Sequence, residues 1–329
     1  MIDRILKNLR ILRNSTPPQA FALLRFHFNK RVLGFDTPRY PVELNIEVST
    51  VCNLRCIYCE SGHKPPQFLT PEGFTKILAA LPAIPCVEFV GLGETLMNPQ
   101  IDELIGIARK KGMYTSITTN GTLLTKDMIS RLESAGLNEL AVSLDLPSKE
   151  VEAIRCGLDF DQLDKNLDNL KHSRLRTLIK AVVSTDNVDK LNDLVDYAKA
   201  KGIPRVRFIE VYTATEYNRT NCEMLFVPRD ITSRKIAAAI EHGKSINVIV
   251  QNATSPQKNC FWPFDLLRMH IDGEIMPCCK LDMGDYGMGN LFNEGFDGIW
   301  FGGKFEGLRK SFLTGDLQEK CHGCIYVNS

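Results

Sequence analysis

From residue 42 to about 212 the chain repeats one unit, a short apolar or β-branched run followed by a stretch of helical periodicity. Strands are expected at Leu44–Val48, Val87–Val90, Thr115–Thr118, Glu139–Leu144, Ile179–Val183 and Val206–Glu210. Helices are expected near 71–80, 99–111, 125–135, 161–172 and 188–201. Thr70-Pro71-Glu72 and Thr125-Lys126-Asp127 carry N-cap chemistry, and Gly112, Gly136 and Gly202 stand where helices stop. Such alternation specifies a parallel sheet covered by helices. Six units fall short of the eight of a complete barrel. The expected fold class is therefore α/β, an open, partial (β/α)6 TIM-like barrel. After 212 the rhythm breaks: a helix is expected at 228–242, a strand at 246–250, and only short elements in the Gly- and Cys-rich stretch 255–329. A segment that small usually needs a staple such as a metal centre. The expected layout is an N-terminal extension over 1–40, the barrel over 41–250 and a small C-terminal domain over 251–329.

Residues 1–35 read as a basic amphipathic helix, with Arg4, Lys7, Arg10, Arg13, Arg25, Lys30 and Arg31 against one acid, Asp3. Packing on the barrel exterior is the favoured reading, with a membrane-surface or partner-binding role as the other. The chain as a whole carries a net charge of only +1, with 44% hydrophobic and 24% charged residues. That balance gives no support to a nucleic-acid partner. No apolar run reaches the roughly 18 residues of a membrane span, and no secretory signal opens the chain. The expected compartment is the cytoplasm, where disulfides are rare.

Eleven cysteines then need another use. "STVCNLRCIYCES" sets Cys52, Cys56 and Cys59 in a C-x3-C-x2-C spacing directly after the first strand. That is the C-terminal strand end, where barrel active sites are built. Structural zinc wants four ligands, and only His63 stands near as a fourth. A [4Fe–4S] cluster usually takes four thiolates, so three leave one iron open to a substrate or cofactor.

The spacing, with Tyr58 before its last cysteine, resembles the signature of the radical S-adenosylmethionine (radical SAM) superfamily. Four further stretches resemble the same family in the same order. "GLGETLMNP" presents Gly91, Gly93 and Glu94 where the family holds the amino group of SAM, with Leu92 inserted and Thr95 replacing the usual proline. "TTNGTLL" places Asn120 in the third-strand loop. "VSLDLP" places Ser143 and Asp145 at the fourth-strand end. "EAIRCG" offers Arg155 as a partner for the SAM carboxylate. The resemblance implies a [4Fe–4S] cluster chelated by SAM at its open iron, and reductive cleavage to a 5′-deoxyadenosyl radical that abstracts hydrogen from substrate. It also implies a low-potential electron donor such as flavodoxin or ferredoxin.

Cys260, Cys278, Cys321 and Cys324 form a second set, with "HIDGEIMPCC" and "CHGC" among the surrounding motifs. This region resembles the SPASM/twitch extension of the superfamily. Only five cysteines lie beyond residue 255, so the expectation is one auxiliary [4Fe–4S] cluster held by those four. Cys279 stands as an alternative to Cys278, and structural zinc as an alternative to the cluster. Cys86, Cys156 and Cys222 have no partner pattern and read as small buried hydrophobes.

A fully ligated auxiliary cluster suits electron acceptance, and so a net two-electron oxidation. The resemblance extends to an aminocyclitol dehydrogenase of this family, which implies a small sugar- or cyclitol-like alcohol as substrate. Glu210, Tyr212 and His270 are the candidate bases. A peptide maturase is the alternative, disfavoured because some 40 residues before the barrel are too few for a leader-binding domain. An epimerase, or a non-catalytic iron–sulfur or zinc protein, are the remaining readings.

Overall fold

A computed structural model describes residues 8–13, 15–32, 40–59, 65–211, 225–253, 260, 262–278, 286–322 and 324. Twelve strands lie among them: β1 (Glu43–Ile46), β2 (Arg55–Cys56), β3 (Cys86–Phe89), β4 (Tyr114–Thr119), β5 (Glu139–Ser143), β6 (Arg155–Cys156), β7 (Arg176–Val183), β8 (Arg205–Glu210), β9 (Ile249–Asn252), β10 (Leu266–Met269), β11 (Glu274–Met276) and β12 (Gly289–Asn290). The six expected barrel strands are β1, β3, β4, β5, β7 and β8, hydrogen-bonded in that order and all parallel.

The helices between them form where the sequence places them, at Pro71–Ala80, Ile101–Lys110, Lys126–Ser134, Phe160–Asp168 and Leu191–Ala200. Thr70 and Thr125 accept the backbone N–H of Gly73 and Met128, respectively, as N-caps. Gly112, Gly136 and Gly202 have φ of 77°, 88° and 72°, the left-handed stop that a Cβ would resist. Ile101, Leu104, Ile105 and Ala108 form the buried stripe of one helix, and Leu191, Leu194, Val195 and Ala198 that of another. These stripes pack on the outward residues of the strands, such as Leu44, Val87, Phe89, Val142 and Phe208, in one continuous core.

The other face of the sheet is polar. By strand parity it carries Asn45, Glu88, Thr118, Lys180, Arg207 and Arg268. Lys180 Nζ on β7 lies 2.7 Å from Glu88 Oε1 on β3, and 2.8 Å from Thr118 Oγ1 on β4. A flat sheet would hold β3 and β7 about 14 Å apart. Direct contact means that the sheet curls and that this polar face is the lumen of an open barrel.

Two expectations are corrected. The boundary at 250/251 does not divide the sheet. β9 crosses it beside β8, and β10 pairs in parallel with β1, carrying β11 and β12 antiparallel beyond it. The C-terminal segment thus extends the open edge of the barrel. Among its described residues the N-terminal extension holds two helices, residues 8–13 and Pro17–Val32, with a break at Ser15-Thr16. Thr16 and Gln19 make a capping box, Gln19 Oε1 accepting the Thr16 N–H at 2.9 Å. Gln19 Nε2 then donates to the carbonyls of Ile84 and Lys111, while Ile11 and Leu23 pack on Cys86 and Tyr114. Cys86 and Tyr114 begin β3 and β4, so these helices dock at the N-terminal end of the barrel.

Candidate active site and second cysteine centre

β1 ends at Ile46, and the chain turns at Ser49-Thr50 into the cysteine loop. β2 within that loop pairs antiparallel with β6, Cys56 standing opposite Arg155. The Ile57 N–H donates to the Ile154 carbonyl at 3.0 Å, and the Cys59 N–H closes a turn onto the Cys56 carbonyl. Cys52, Cys56 and Cys59 are all half-buried. Burial pushes the Cys56 thiol up to about 12; the Arg155 charge opposes this, and Cys59, Asp145 and Cys52 add to it. Cys52 is raised as well, first by burial. A bound metal would offset that burial and hold the sulfurs as thiolates.

Gly93 lets the second loop close on the first: a Cβ there would lie 2.3 Å from the Ser49 carbonyl oxygen. At Gly91 it would lie 2.9 Å from Glu47 Cγ. The Glu94 N–H donates to the Val51 carbonyl. The Glu94 carboxylate is buried and bridges onward, accepting Thr119 Oγ1 at 2.5 Å, the Asn120 N–H at 2.7 Å and the Leu96 N–H at 3.0 Å. Its pKa is raised by burial, against those hydrogen bonds. Asn120 Nδ2 donates to Asn53 Oδ1 at 2.8 Å, returning to the cysteine loop. Thus Glu94 and Asn120 brace three strand ends against one another.

Asp145, just after β5, accepts Arg155 Nε at 2.8 Å and Tyr58 OH at 2.5 Å on one oxygen, and the Val182 N–H at 2.8 Å on the other. Burial holds the Tyr58 hydroxyl well above its usual pKa, so it remains a donor. Arg155 Nη1 reaches Cys56 Sγ at 4.0 Å. Ser143 ends β5 on the lumen side, in register with Lys180. The structure therefore brings Tyr58, Gly91, Gly93, Glu94, Asn120, Ser143, Asp145 and Arg155 to the same strand ends as the three cysteines.

The candidate bases divide. His270 follows β10 and is buried, with Nδ1 3.0 Å from Glu47 Oε2. Parity directs both toward the lumen. Glu210 is corrected: it shares the face of β8 with Val206 and Phe208, which the helices cover, while Arg207 and Ile209 take the lumen face. Tyr212, along with His63, Cys222 and Cys279, lies outside the described residues. Cys156 is exposed, not buried. Glu47 went unread in the sequence, although Glu43, Asn45 and Glu47 alternate with Leu44, Ile46 and Val48, the pattern of a strand with one polar face.

The second set also comes together. Cys260, Cys321 and Cys324 are buried in one cluster with Trp262, Phe264, Leu308 and Phe312, and Cys278 packs against it. Arg309 ties this cluster: Nε donates to the Pro263 carbonyl at 2.7 Å, and the guanidinium lies 4.5 Å from the Trp300 ring centre. Among the described residues no three His, Cys, Asp or Glu side chains are arranged to hold a single metal ion. A cubane asks for something else, one thiolate for each iron.

Residues 46–198 match the Radical SAM superfamily, and residues 260–325 match SPASM, an iron–sulfur cluster-binding domain. The GTP 3′,8-cyclase of Clostridium botulinum strain Langeland is 30% identical over 265 residues, covering 71% of this chain and 80% of that protein. The chain belongs to the radical SAM superfamily. The Fe-coproporphyrin III synthase of Methanosarcina barkeri is 32% identical over 191 residues, 56% of this chain. The chain matches only about half, 47%, of that relative's length. In fold it resembles SuiB of Streptococcus suis, solved with precursor peptide SuiA, at a TM-score of 0.72 and 18% identity over 87% of this chain and 71% of that one. As a radical SAM enzyme it binds a [4Fe–4S] cluster together with S-adenosylmethionine, and its SPASM segment binds auxiliary iron–sulfur. Among the described residues no helix is long and apolar enough to cross a membrane.

Proposed function

We propose that this radical SAM enzyme oxidises a polar small molecule in the barrel lumen, with one auxiliary [4Fe–4S] cluster as electron acceptor. The residues that would hold the first cluster are Cys52, Cys56 and Cys59; Cys260, Cys278, Cys321 and Cys324 would hold the second. When bound, the first cluster with SAM supplies the radical that takes a hydrogen atom from substrate. The chain's own residues do the rest. Gly93 and Glu94 would form the wall for the methionine end of SAM. Arg155, fixed by Asp145, presents a guanidinium for its carboxylate. Tyr58 and Asp145 keep that guanidinium in place.

Oxidation of an alcohol also requires loss of a proton. His270 Nε2 is the acceptor, with Glu47 holding the ring through Nδ1. The lumen chemistry narrows the substrate class. Arg207, Arg268 and Lys180 line it together with Asn45 and the carboxylates Glu43, Glu47, Glu88 and Glu139, which favours a hydroxylated molecule over an apolar one. A sugar- or cyclitol-like alcohol has that character. A flavodoxin or ferredoxin in the cytoplasm is the proposed reductant.

The observation that carries the oxidative reading is that β10 leads directly from the second cysteine cluster to His270 and is hydrogen-bonded to β1, which carries the first. The second cysteine cluster and His270 thus adjoin β10, and the loop of Cys52, Cys56 and Cys59 follows its neighbour β1. The test is His270→Gln in the reconstituted enzyme with substrate present. 5′-Deoxyadenosine should still form, while oxidised product falls by about a hundredfold or more, with rescue at higher pH. Unchanged product formation would remove the base from this reading.

A further inference from the structure

The helix Pro17–Val32 is apolar on two sides. One side, with Gln19 and Leu23, is buried against the base of the barrel. On the other, Phe21, Leu24 and Phe28 are 65%, 57% and 64% exposed. Spaced three and four apart, they form one stripe. Leu9 of the preceding helix is 56% exposed as well. Scattered exposed apolar side chains need no explanation, but a helix with apolar stripes on two sides ordinarily buries both.

Charge decides what covers this stripe. Arg25 on the same helix, and Arg10 and Arg13 on the preceding one, are exposed as well. Residues 4–35 contain no Asp or Glu, and residues 1–35 carry a net charge of +6 in a chain whose total is +1, which leaves −5 on the rest. A cleft of about 330 Å³ between this helix and the barrel base is lined by Phe21, Ala22, Arg25, Tyr40 and Pro82, an apolar slot with a guanidinium at its edge.

We propose that this face seats the enzyme on an anionic membrane surface. Phe21, Leu24 and Phe28 enter the acyl–headgroup boundary while Arg10, Arg13 and Arg25 meet the lipid phosphates. A symmetric dimer through the same face would set Arg10, Arg13 and Arg25 of one copy against the same cations of the other. The binding is peripheral, since no described helix can span a bilayer. The seat lies at the N-terminal end of the barrel, and the cysteine loop lies at the opposite end. The mouth therefore stays open to water and the electron donor.

The test is flotation of the full chain, with its clusters intact, on vesicles of phosphatidylcholine alone or with phosphatidylglycerol. Binding to the anionic vesicles should exceed binding to the neutral ones by about a hundredfold and weaken as salt rises. Phe21→Ser with Phe28→Ser should lower it about tenfold, and Phe21→Leu should restore most of it. Arg10→Glu, Arg13→Glu and Arg25→Glu together should abolish the preference for anionic lipid. 5′-Deoxyadenosine formation should be unchanged in each variant, which shows that the body stays folded. Equal binding to both vesicles, or none, overturns the proposal. So does a phenylalanine-dependent dimer in free solution, or binding to RNA that competes with the vesicles and ignores the phenylalanine changes.

Discussion

Arg155 is only 6% exposed and carries its charge into the barrel mouth, so its partner decides whether it stabilises or strains the site. That partner is Asp145, whose other oxygen is held by the Val182 N–H. Removing one member of a buried pair leaves the other charge stranded. Arg155→Met should therefore cost about 3–5 kcal/mol, more than truncation of a surface arginine. Urea unfolding of the cluster-free protein measures it without interference from SAM. Asp145→Asn should also release Tyr58 from its strong acceptor, visible as a downward move in the pKa of the phenol. The sequence singled out both Arg155 and Asp145, but not their pairing. Ten residues of separation say nothing about contact until β6 turns back to meet the cysteine loop.

At the scale of elements, local signals were the reliable ones. Thr70, Thr125 and the stop glycines act through neighbours within four residues, so sequence alone places them. β10 was invisible because "LLRM" is buried throughout. Such a run lacks alternation, and its pairing with β1 spans more than two hundred residues. Glu210 shows the converse: its position at a strand end was correctly read, but parity puts it with Phe208 under the helices. The same parity, applied to Glu43-Leu44-Asn45-Ile46-Glu47, would have pointed to Glu47. The N-terminal extension gives an element-scale prediction. Gln19 closes the capping box and docks the helix through two carbonyls, so Gln19→Ala should cost about 2 kcal/mol. The loss should be local, seen as faster proteolysis within residues 8–32 while deoxyadenosine formation continues.

At the scale of the whole molecule, the C-terminal segment has two attachments of different kind. Its strands extend the barrel sheet through β10, which needs no metal. Its last helix, Gly303–Thr314, and the Cys321–Cys324 turn instead pack around the four cysteines and Arg309. A cluster there staples residues that are far apart in sequence, and such a small core depends on it. Cys324→Ala should therefore lower bound iron from about eight to about four per chain. It should loosen the segment beyond Gly303 and leave the sheet intact. Deoxyadenosine should still be made at the first centre, because Cys52, Cys56 and Cys59 are braced by the loops that follow β3 and β4 and by β6. On the proposed oxidation, formation of oxidised product should stop, because the electron has no acceptor. Iron analysis with hydrogen exchange separates these effects: lost iron with exchange confined to 303–324 supports two independent centres, and loss of all iron would mean that the two assemble as one.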